Sequence, residues 1–502
     1  MNPIDKFLNN FTMYKVVSYG LFLLAGISLS LSFAGFVSHK PLELVISFLT
    51  LTIVCYTTNL LLGKIFKATL NVESSSITAV ILYFLLWPSL EIQMILLIAL
   101  AGFIAMASKF VFAYKRKHLF NPAAFAAVML LFFNSGALWW VGTPSMLLPT
   151  LIIGLLIVRK VRKFTVFLTF LSVTLASFLI QTTLQGLSVV DQATQFFLSF
   201  PVIFFGTIML TEPLTMPPTK KLQTIYASFC GILFSWQGTF GPIILTTELA
   251  LIIGNVFSFI VSPKYKFLLK LLEVKRLSDN TFEYSFKKPE VFHFRPGQYL
   301  EWTIPTTKTD IRGNRRYFTI ASSPTEVELK LGIRFNTPGS EFKKFLQGLK
   351  PQGSITAGQL IGDFTLPSDK SKKLVFIAGG IGVTPFRSII KYLLDINEKR
   401  DIVFFYSNKT ENEIAYKDIF DEAARKLNIK VVYILSDDKD LSTWKGERGR
   451  IDEKMLKKHV NDINDRIYFL SGPNAMVENY KKLLKSLNVK QTSIVTDYFP
   501  GF

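Results

Sequence analysis

The first 262 residues of the chain are a series of apolar runs about as long as a bilayer is thick. An α-helix needs roughly 20 apolar residues to cross the hydrocarbon core of a membrane. Only 15 of the 56 Lys and Arg residues and 7 of the 36 Asp and Glu residues fall in this part. We therefore predict a polytopic α-helical membrane domain of ten spans, near residues 15–38, 42–63, 74–90, 91–113, 121–138, 145–158, 164–184, 195–212, 222–237 and 242–262.

Basic residues in this half fall on alternate gaps between the predicted spans. Lysine and arginine are concentrated on the cytoplasmic side of membrane proteins. We therefore expect a multi-pass protein of the cell (inner) membrane with both termini, and everything after residue 262, in the cytoplasm. The opposite gaps hold Lys40, whereas the predicted cytoplasmic gaps hold Lys6, Lys15, Lys64, Lys67, Lys109, Lys115, Arg116, Lys117, Arg159, Lys160, Arg162, Lys163, Lys220 and Lys221.

The formal net charge of +20 does not call for a nucleic-acid partner. The membrane half contributes about +8, which its topology explains, and the rest is scattered along the second half, as on a solvated face near anionic lipid. Cys55 and Cys230 are the two cysteines, and both lie in predicted spans. Within one chain, two cysteines exclude a disulfide framework, a four-cysteine iron–sulfur cluster and a zinc ribbon. We predict no metal site.

The second half has the pattern of two smaller domains. Residues 263–367 contain alternating β-segments such as 282–288, 299–305 and 328–335, which predict a small β-barrel. Residues 368–502 alternate strands with helices, which predicts a doubly wound parallel sheet.

A glycine-rich turn follows the first strand of that sheet, in the segment LVFIAGGIGVTPFRS (374–388). Gly379, Gly380 and Gly382 allow a tight turn and remove the Cβ atoms that would keep a pyrophosphate at a distance. Thr384 and Pro385 open a helix whose free N–H groups favour an anion. Alone, such a turn is weak evidence of nucleotide binding, because many α/β proteins turn on glycine for steric reasons.

Further motifs occur in order around this turn. The segment RRYFTIASSP (315–324) precedes it, and with these motifs residues 265–502 as a whole resemble the ferredoxin–NADP reductase superfamily, whose flavin motif is R-x-[YF]-[ST]. The resemblance implies an FAD site made of Arg316, Tyr317, Phe318 and Thr319, with Arg316 on the pyrophosphate, Phe318 against the isoalloxazine and the Thr319 hydroxyl near N5. Gly339 and Ser340 resemble the second phosphate contact.

The nicotinamide side carries two more motifs of the same family. The segment YSNKTENEIAYKDIF (406–420) resembles the ribose-end segment, where Ser407 and Lys409 would hold a 2′-phosphate, although an NADH enzyme can carry similar residues. The segment FLSGPNAM (469–476) resembles the family's C-G-P-x-x-M turn, with Ser471 in place of the cysteine, followed by Gly472 and Pro473.

The chain ends in DYFPGF, which resembles the family's terminal acidic-aromatic segment, so Asp497 and Phe499 are expected to close the far face of the flavin. The resemblance implies an enzyme in which NADH or NADPH gives a hydride to FAD. Thr319, Ser471 and Phe499 are the expected catalytic residues.

The membrane half is expected to receive the electrons or to act as an anchor. Its histidines, His39 and His118, lie at or beyond span ends, so bis-histidine haem ligation inside the bilayer is excluded. The segments YKRKHLFNPAAFAAVML (114–130) and IMLTEPLTMPPTKKLQTIYASFCGILF (208–234) resemble the membrane flavoprotein subunits of the Rnf complex and of sodium-translocating NADH:quinone reductase.

That second resemblance implies a further flavin, FMN or riboflavin, near Asn121. An alternative compatible with it is that Asn121 only caps a helix whose first residue is Pro122. The family's threonine loop for covalent FMN is missing between 134 and 144, and Thr194 in SVVDQATQ is a degenerate substitute. For the segment that contains Thr194, the alternative is that Asp191 simply caps the following helix.

Two acidic residues lie at predicted membrane depth, where carboxylates are costly and usually functional. Glu212 is near the cytoplasmic end, whereas Glu248 is the better candidate for a sodium or proton step.

The sequence thus predicts a membrane-bound, FAD-containing NAD(P)H dehydrogenase that passes electrons to a flavin, a quinone or a redox protein. Two alternatives stay open. In the first, the acceptor is soluble and the membrane half is an anchor. In the second, the membrane half is a small-solute transporter regulated by nucleotide redox state.

Overall fold

The chain divides into two units, of which one spans Ile4–Lys266 and the other begins at Phe267. The computed structural model describes residues 3–8, 10–66, 72–114, 117–236, 238–240, 243–263, 265–306, 313–335, 339–437 and 444–497. Of the residues used in the predictions, Lys67, Lys115, Arg116 and Phe499 lie outside the described residues.

The first unit is built mainly of helices. Proline stands at the start of α3, α6 and α7, where its missing N–H costs no hydrogen bond. The elements are α1 (Pro3–Leu8), α2 (Met13–Phe33), α3 (Pro41–Ile65), α4 (Val72–Leu85), α5 (Ile92–Val111), β1 (Ala113–Tyr114), β2 (Lys117–His118), α6 (Pro122–Leu130), α7 (Pro144–Val161), α8 (Phe164–Leu184), α9 (Val189–Leu198), α10 (Val202–Phe204), α11 (Lys220–Ser235), β3 (Thr239–Phe240), β4 (Ile243–Ile244) and α12 (Thr247–Val261).

The strands of this unit form two short antiparallel hairpins, β1 with β2 and β3 with β4. The remaining described backbone is helix, turn or loop, and it surrounds one large apolar core. Every predicted span contains a helix at the expected place. The apolar runs therefore located the helices of the first unit correctly.

Among the described residues, five helices are long and apolar enough to cross a membrane: α2, α3, α5, α7 and α8. A sixth candidate is the pair formed by α9 and residues 202–209, which is bent by 61°. Helices α4, α6 and α12 are apolar but shorter, and nine residues, the length of α6, rise only about 14 Å. This finding does not establish ten membrane crossings, so that number stays a prediction.

The second unit begins with a six-stranded antiparallel sheet in the order β8-β7-β10-β5-β6-β9. The predicted β-segments at 282–288, 299–305 and 328–335 are strands of this sheet. A short helix, α13, precedes the last strand, and its Phe342 is fully buried. The elements are β5 (Lys266–Ser278), β6 (Thr281–Lys287), β7 (Tyr299–Thr303), β8 (Arg315–Thr319), β9 (Glu328–Arg334), α13 (Glu341–Gln347) and β10 (Ser354–Ile361).

The predicted parallel sheet follows, in the order β14-β13-β12-β11-β15-β16, and all its pairings are parallel. Apolar clusters cover both of its faces, as expected for such a sheet. The order reverses at β11, which lies between β12 and β15, and ligands of such folds bind at the carboxyl ends of the strands beside this point. The elements are β11 (Lys373–Gly379), α14 (Thr384–Asp395), β12 (Ile402–Asn408), α15 (Lys417–Leu427), β13 (Lys430–Leu435), β14 (Glu447–Arg448), α16 (Glu453–His459), β15 (Arg466–Ser471), α17 (Asn474–Ser486) and β16 (Ile494–Thr496).

Candidate active site

The predicted glycine turn lies at the end of β11 and continues as a 3₁₀ turn, Gly380–Val383, into α14. Gly380 has φ +52°, a left-handed conformation that favours glycine. A Cβ on Gly379 would lie 2.3 Å from Met476 Sδ, and one on Gly382 would lie 2.6 Å from the Gly472 backbone. Gly382 is thus required by backbone contact with the turn after β15, in addition to any need of a pyrophosphate, whereas a Cβ on Gly379 would meet the flexible end of the Met476 side chain in α17.

That second turn contains Ser471, Gly472 and Pro473, and it leads into α17. Because β11 and β15 are neighbouring parallel strands, the two predicted nucleotide turns lie side by side at the carboxyl ends of these strands. Thr384, at the start of α14, is nearly buried, and its hydroxyl donates to the Ile381 carbonyl at 3.3 Å. The turn therefore has the form expected of a dinucleotide site, with Pro385 in the first helical turn.

Asp497 connects the flavin motif in β8 to the turn that begins at Ser471. Its Oδ2 accepts hydrogen bonds from Thr319 Oγ1 at 3.3 Å and from Ser471 Oγ at 3.2 Å. Thr319 and Ser471 are each 3% exposed. Two side chains predicted to be catalytic, 152 positions apart, thus share one carboxylate oxygen. The sequence pattern indicated Asp497 near the flavin, but it did not indicate this shared contact.

The flavin motif occupies β8. Arg316 and Phe318 share one face of this strand, since they alternate with Tyr317 and Thr319. The Arg316 guanidinium lies 5.5 Å from the centre of the Phe342 ring, and the Phe318 and Phe342 rings are 5.7 Å apart. A buried guanidinium beside an aromatic ring suits a pyrophosphate and a flat cofactor, so these residues fit FAD.

Tyr317 lies on the other face of the strand, away from Arg316 and Phe318. Its hydroxyl is 3.0 Å from Glu301 Oε2 and 3.0 Å from Gln359 Oε1. Its side chain is therefore engaged within the antiparallel sheet. Ser340 is the N-cap of α13, where its Oγ accepts from the Lys343 N–H at 3.3 Å, and Gly339 precedes it.

The ribose-end residues Ser407 and Lys409 lie at and just after the end of β12. Sequence reasoning missed an acidic neighbour. Glu413 accepts from the Lys409 N–H at 3.4 Å and from Arg334 Nη2 at 2.7 Å. The signal was present in the sequence, because Glu413 follows Lys409 by four residues in the same motif.

The membrane half brings Asn121 together with Glu212, as the sequence did not predict. Asn121 Oδ1 accepts from the Ala124 N–H at 3.1 Å, so Asn121 is the N-cap of α6. Its Nδ2 donates to Glu212 Oε2 at 2.9 Å, and its N–H donates to Asn255 Oδ1 at 2.7 Å. His118 Nε2 lies 3.7 Å from Glu212 Oε1. The prediction that Asn121 caps α6 is confirmed, and Asn121 also forms hydrogen bonds with Glu212 and Asn255.

A cleft of about 60 Å³, partly open to its surroundings, lies beside these residues. Its lining includes Lys109, Asn121 and Glu212, together with apolar side chains of α2, α4 and α7. Lys109 Nζ donates to Ser74 O at 3.0 Å, to Ser74 Oγ at 2.9 Å and to Thr78 Oγ1 at 3.0 Å. The cleft therefore combines an apolar wall with one fixed cation and one fixed carboxylate.

Glu248 is buried in the first turn of α12, and its Oε1 accepts from Trp139 Nε1 at 2.6 Å. Trp139 has φ +54°, a rare conformation for a bulky residue. Its N–H donates to the Leu85 carbonyl at 3.0 Å, and the Trp140 indole donates to the Tyr83 carbonyl at 2.7 Å. The loop between α6 and α7 is thereby fixed into the helical core.

Thr194 is exposed within α9, and its hydroxyl donates to the Val190 carbonyl at 2.9 Å. The alternative interpretation of this segment is wrong in detail. Ser188, not Asp191, caps the helix, since Ser188 Oγ accepts from the Asp191 N–H at 3.4 Å. The error arose because both residue types favour helix starts.

Residues 376–482 match the family model of the oxidoreductase NAD-binding domain. This segment is therefore similar to the NAD-binding domains of oxidoreductases. The chain is 30% identical over 230 residues to the F subunit of the Na(+)-translocating NADH-quinone reductase of Neisseria meningitidis, covering 43% of this chain and 56% of the relative. It is 28% identical over 210 residues to the glycine betaine monooxygenase reductase subunit of Pseudomonas aeruginosa, covering 41% and 56%.

The chain spans about half the length of the curated relatives that it matches. Among solved structures, it is similar to the Amycolatopsis cytochrome P450 reductase, with 24% identity, a TM-score of 0.42, and coverage of 46% of this chain and 69% of that chain. The sequence matches confirm the predicted class of the second half, an FAD-dependent NAD(P)H oxidoreductase module homologous to the F subunit named above.

Proposed function

We propose that the protein is a membrane-bound NAD(P)H dehydrogenase that passes electrons from NAD(P)H through FAD to an acceptor at the membrane. The observation that carries this proposal is the convergence of Thr319 and Ser471 on Asp497. It brings the flavin motif and the nicotinamide turn within one side chain of each other. FAD, when bound, would supply the change from two-electron hydride chemistry to single-electron transfer.

The residues of the chain would divide the work between the two cofactors. Arg316 would hold the pyrophosphate of FAD, with Gly339 and Ser340 as the second phosphate contact, and Phe318 would cover the ring. The glycine turn and the Ser471–Pro473 turn would hold the dinucleotide. Asp497 would orient the two hydroxyls beside the reacting rings, and Phe499 would lie against the flavin.

Nucleotide preference would depend on Ser407, Lys409 and Glu413. A 2′-phosphate placed near Lys409 would also approach the Glu413 carboxylate, and like charges repel. Arg334 offsets part of this charge. We therefore expect NADH to be the better donor.

The membrane half would take part in the electron path. The likeness of 114–130 and 208–234 to sodium-translocating NADH:quinone reductase subunits supports this proposal. So does the lining of the cleft, because it is mostly apolar and includes the polar groups of Lys109, Asn121 and Glu212. We propose that it binds a second flavin or a quinone. Ten spans, a cytoplasmic reductase half and coupling to sodium or proton movement through Glu248 belong to the same proposal.

An anaerobic titration with NADH or NADPH tests the function, with flavin counted after acid precipitation. We expect four electrons and two flavins per chain, and tighter titration by NADH. Two electrons and one FAD would overturn the second flavin and leave an anchor or a quinone site. Flavin retained in the pellet would point to Thr194. Absence of FAD, or no reduction by either nucleotide, would overturn the proposed function.

Two variants test the cleft. N121S keeps an oxygen that can cap α6 but loses the amide donor to Glu212, so it should lose the second flavin and keep FAD. N59A is the control, because Asn59 is a similarly buried asparagine of the membrane half that does not line the cleft. Loss of the second flavin in both variants, or in neither, would contradict this assignment.

A further inference from the structure

The two sheets of the second unit are joined immediately beside the flavin motif. Arg387 Nη1 donates to the Ala321 carbonyl at 3.0 Å, and Ser388 Oγ donates to the Ser322 carbonyl at 2.7 Å. Ala321 and Ser322 follow Thr319 by two and three residues, while Arg387 and Ser388 lie in the first turns of α14. Two hydrogen bonds thus connect the segment just after the flavin motif to α14, the helix that follows the glycine-rich turn.

An ion pair reinforces this connection. Arg387 Nη2 donates to Glu326 Oε1 at 2.8 Å, and Arg387 Nη1 donates to Glu326 Oε2. Glu326 Oε2 also accepts from the Ser323 N–H at 2.6 Å. The side chains of Arg387 and Glu326 are 4% and 14% exposed. The planar guanidinium therefore fixes both the distance and the angle between α14 and the loop after β8.

Further charged and aromatic groups surround this pair. Lys330 Nζ lies 3.5 Å from Glu326 Oε1 and 3.5 Å from Glu283 Oε1, and the Arg387 guanidinium lies 5.5 Å from the centre of the Tyr416 ring. Burial alone would raise the pKa of Glu326, but the hydrogen bonds and charge of Arg387 lower that pKa below its usual value. The carboxylate is therefore ionised at neutral pH.

The contact is also sterically tight. A Cβ on Gly332 would lie 2.8 Å from Thr384 Cγ2 and 2.9 Å from the Tyr416 hydroxyl oxygen. Strand β9 therefore meets the start of α14 with no room for a side chain. Close packing of this kind leaves the two sheets little freedom to shift against each other.

We propose that Arg387, Glu326 and Ser388 are positioning residues for hydride transfer. They set the separation between the strand of the flavin motif and the glycine-rich turn that opens α14, and they would act through these elements without contacting substrate. The inference rests on the proposed function. The positioning role assigned to these three side chains rests on their contacts in this structure and not on the resemblance to known reductases.

The chain offers a matched control for the loss of a buried ion pair. Arg400 pairs with Glu398 at 2.7 Å, and their side chains are 5% and 14% exposed. Arg400 also donates to the carbonyls of Pro367 and Asp369, at 3.0 and 3.2 Å, but to no residue of the flavin motif. R400Q should therefore cost stability comparable to R387Q without changing the separation of the two motifs.

The test compares R387Q, R387K, E326Q and S388A with R400Q and the unmodified chain. FAD content and the unfolding temperature are measured first. Anaerobic stopped-flow mixing with NADH then gives the limiting rate of flavin reduction and the NADH concentration at half that rate. The long-wavelength absorbance band produced by NAD⁺ stacked on the reduced flavin is followed as a measure of ring contact that needs no turnover.

We expect R387Q and E326Q to keep FAD and to lower the limiting rate about 10- to 100-fold, because small misplacements of reacting groups cost that much. The half-saturating NADH concentration should change little, and the long-wavelength band should weaken. R387K keeps the charge but not the two-pronged geometry, so it should restore only part of the rate. R400Q should match the unmodified chain in rate and band.

Equal rates and bands in R387Q and R400Q would overturn the inference. If R387Q does not retain FAD, S388A decides, since it removes only one hydroxyl. S388A should slow reduction several-fold, as expected for one lost hydrogen bond, and an unchanged rate and band would overturn the inference. Failure of the proposed function looks different, because the unmodified chain would then not be reduced by NADH at all.

Discussion

At the scale of single residues, Asp497 has the most consequential position. One carboxylate oxygen accepts from Thr319 in the antiparallel sheet and from Ser471 in the parallel sheet. A serine hydroxyl forms this contact at the position where the C-G-P-x-x-M turn, which this segment resembles, has a cysteine. Because a hydroxyl is a stronger hydrogen-bond donor than a thiol, Ser471 is held more firmly to the carboxylate than a cysteine would be.

D497A should lower the limiting rate of flavin reduction about tenfold, which corresponds to the loss of one or two hydrogen bonds to a charged group. D497N keeps a carbonyl oxygen that can accept from both hydroxyls, so it should retain most of the rate. Stopped-flow reduction by NADH measures both variants. D369A, which removes an exposed carboxylate from the loop between the sheets, is the control. A D497A rate equal to that of D369A would contradict this role.

At the scale of elements, the strands and helices could be predicted from the sequence because their patterns are local. Alternating residues at 282–288 and the apolar runs before Gly379 each predict a strand without reference to the rest of the chain. The contacts that build the site are not local. Nothing in the sequence places Arg387 against Glu326, or Trp139 against Glu248, since both pairs depend on how separate elements pack.

The length of the membrane-half helices illustrates the same limit. An apolar composition predicts burial in lipid or in protein equally well. Helix α6 is apolar, but its residues Ala123, Ala124, Ala126 and Ala127 are buried inside the helical unit. Hydropathy therefore located this helix and could not predict its length.

An ion pair between elements of the parallel sheet predicts that the stability of the folded chain falls in acid. Asp462 receives hydrogen bonds from Arg466 at the start of β15 and from Lys373 at the start of β11. Burial would raise the pKa of Asp462, but these hydrogen bonds and the Arg466 charge lower that pKa from 3.8 to about 2. Its stabilisation is therefore present above about pH 4 and is lost as the pH falls through about 2.

D462N should lower the free energy of unfolding at pH 7 by about 1–2 kcal/mol, after allowance for partial exposure. The difference from the unmodified chain should shrink below about pH 4 and vanish below about pH 2. Urea unfolding of the solubilised chain, followed by the flavin signal, measures it. D465N changes an exposed aspartate three residues away and should have little effect. A difference that does not depend on pH would contradict the assignment.

At the scale of the whole molecule, the chain combines a helical unit with a reductase unit, and the relatives of the reductase unit are similar to this chain over less than half its length. Most basic residues of the helical unit fall at alternate gaps between its predicted spans. One of these basic residues, Arg159 in the last turn of α7, also forms an ion pair with Asp5 of α1 at 2.7 Å. The proposal of a cytoplasmic reductase half rests on this distribution of charge.

Labelling of introduced cysteines tests the orientation, since Cys55 and Cys230 are buried. L187C, in the loop after α8, should react with a membrane-impermeant maleimide on intact cells. S371C, on an exposed loop of the reductase half, should react only after the membrane is permeabilised. The reverse pattern would place the reductase half outside and would separate it from cellular NADH.

The contact between Gly382 and Gly472 has a thermodynamic consequence. Backbone meets backbone there, so the two turns that would bind the dinucleotide already support each other in the folded chain. Ordering a loop around a ligand costs conformational entropy, and a surface that is already assembled avoids that cost. More of the binding free energy of the nucleotide thus remains for holding its ring in the orientation that hydride transfer requires.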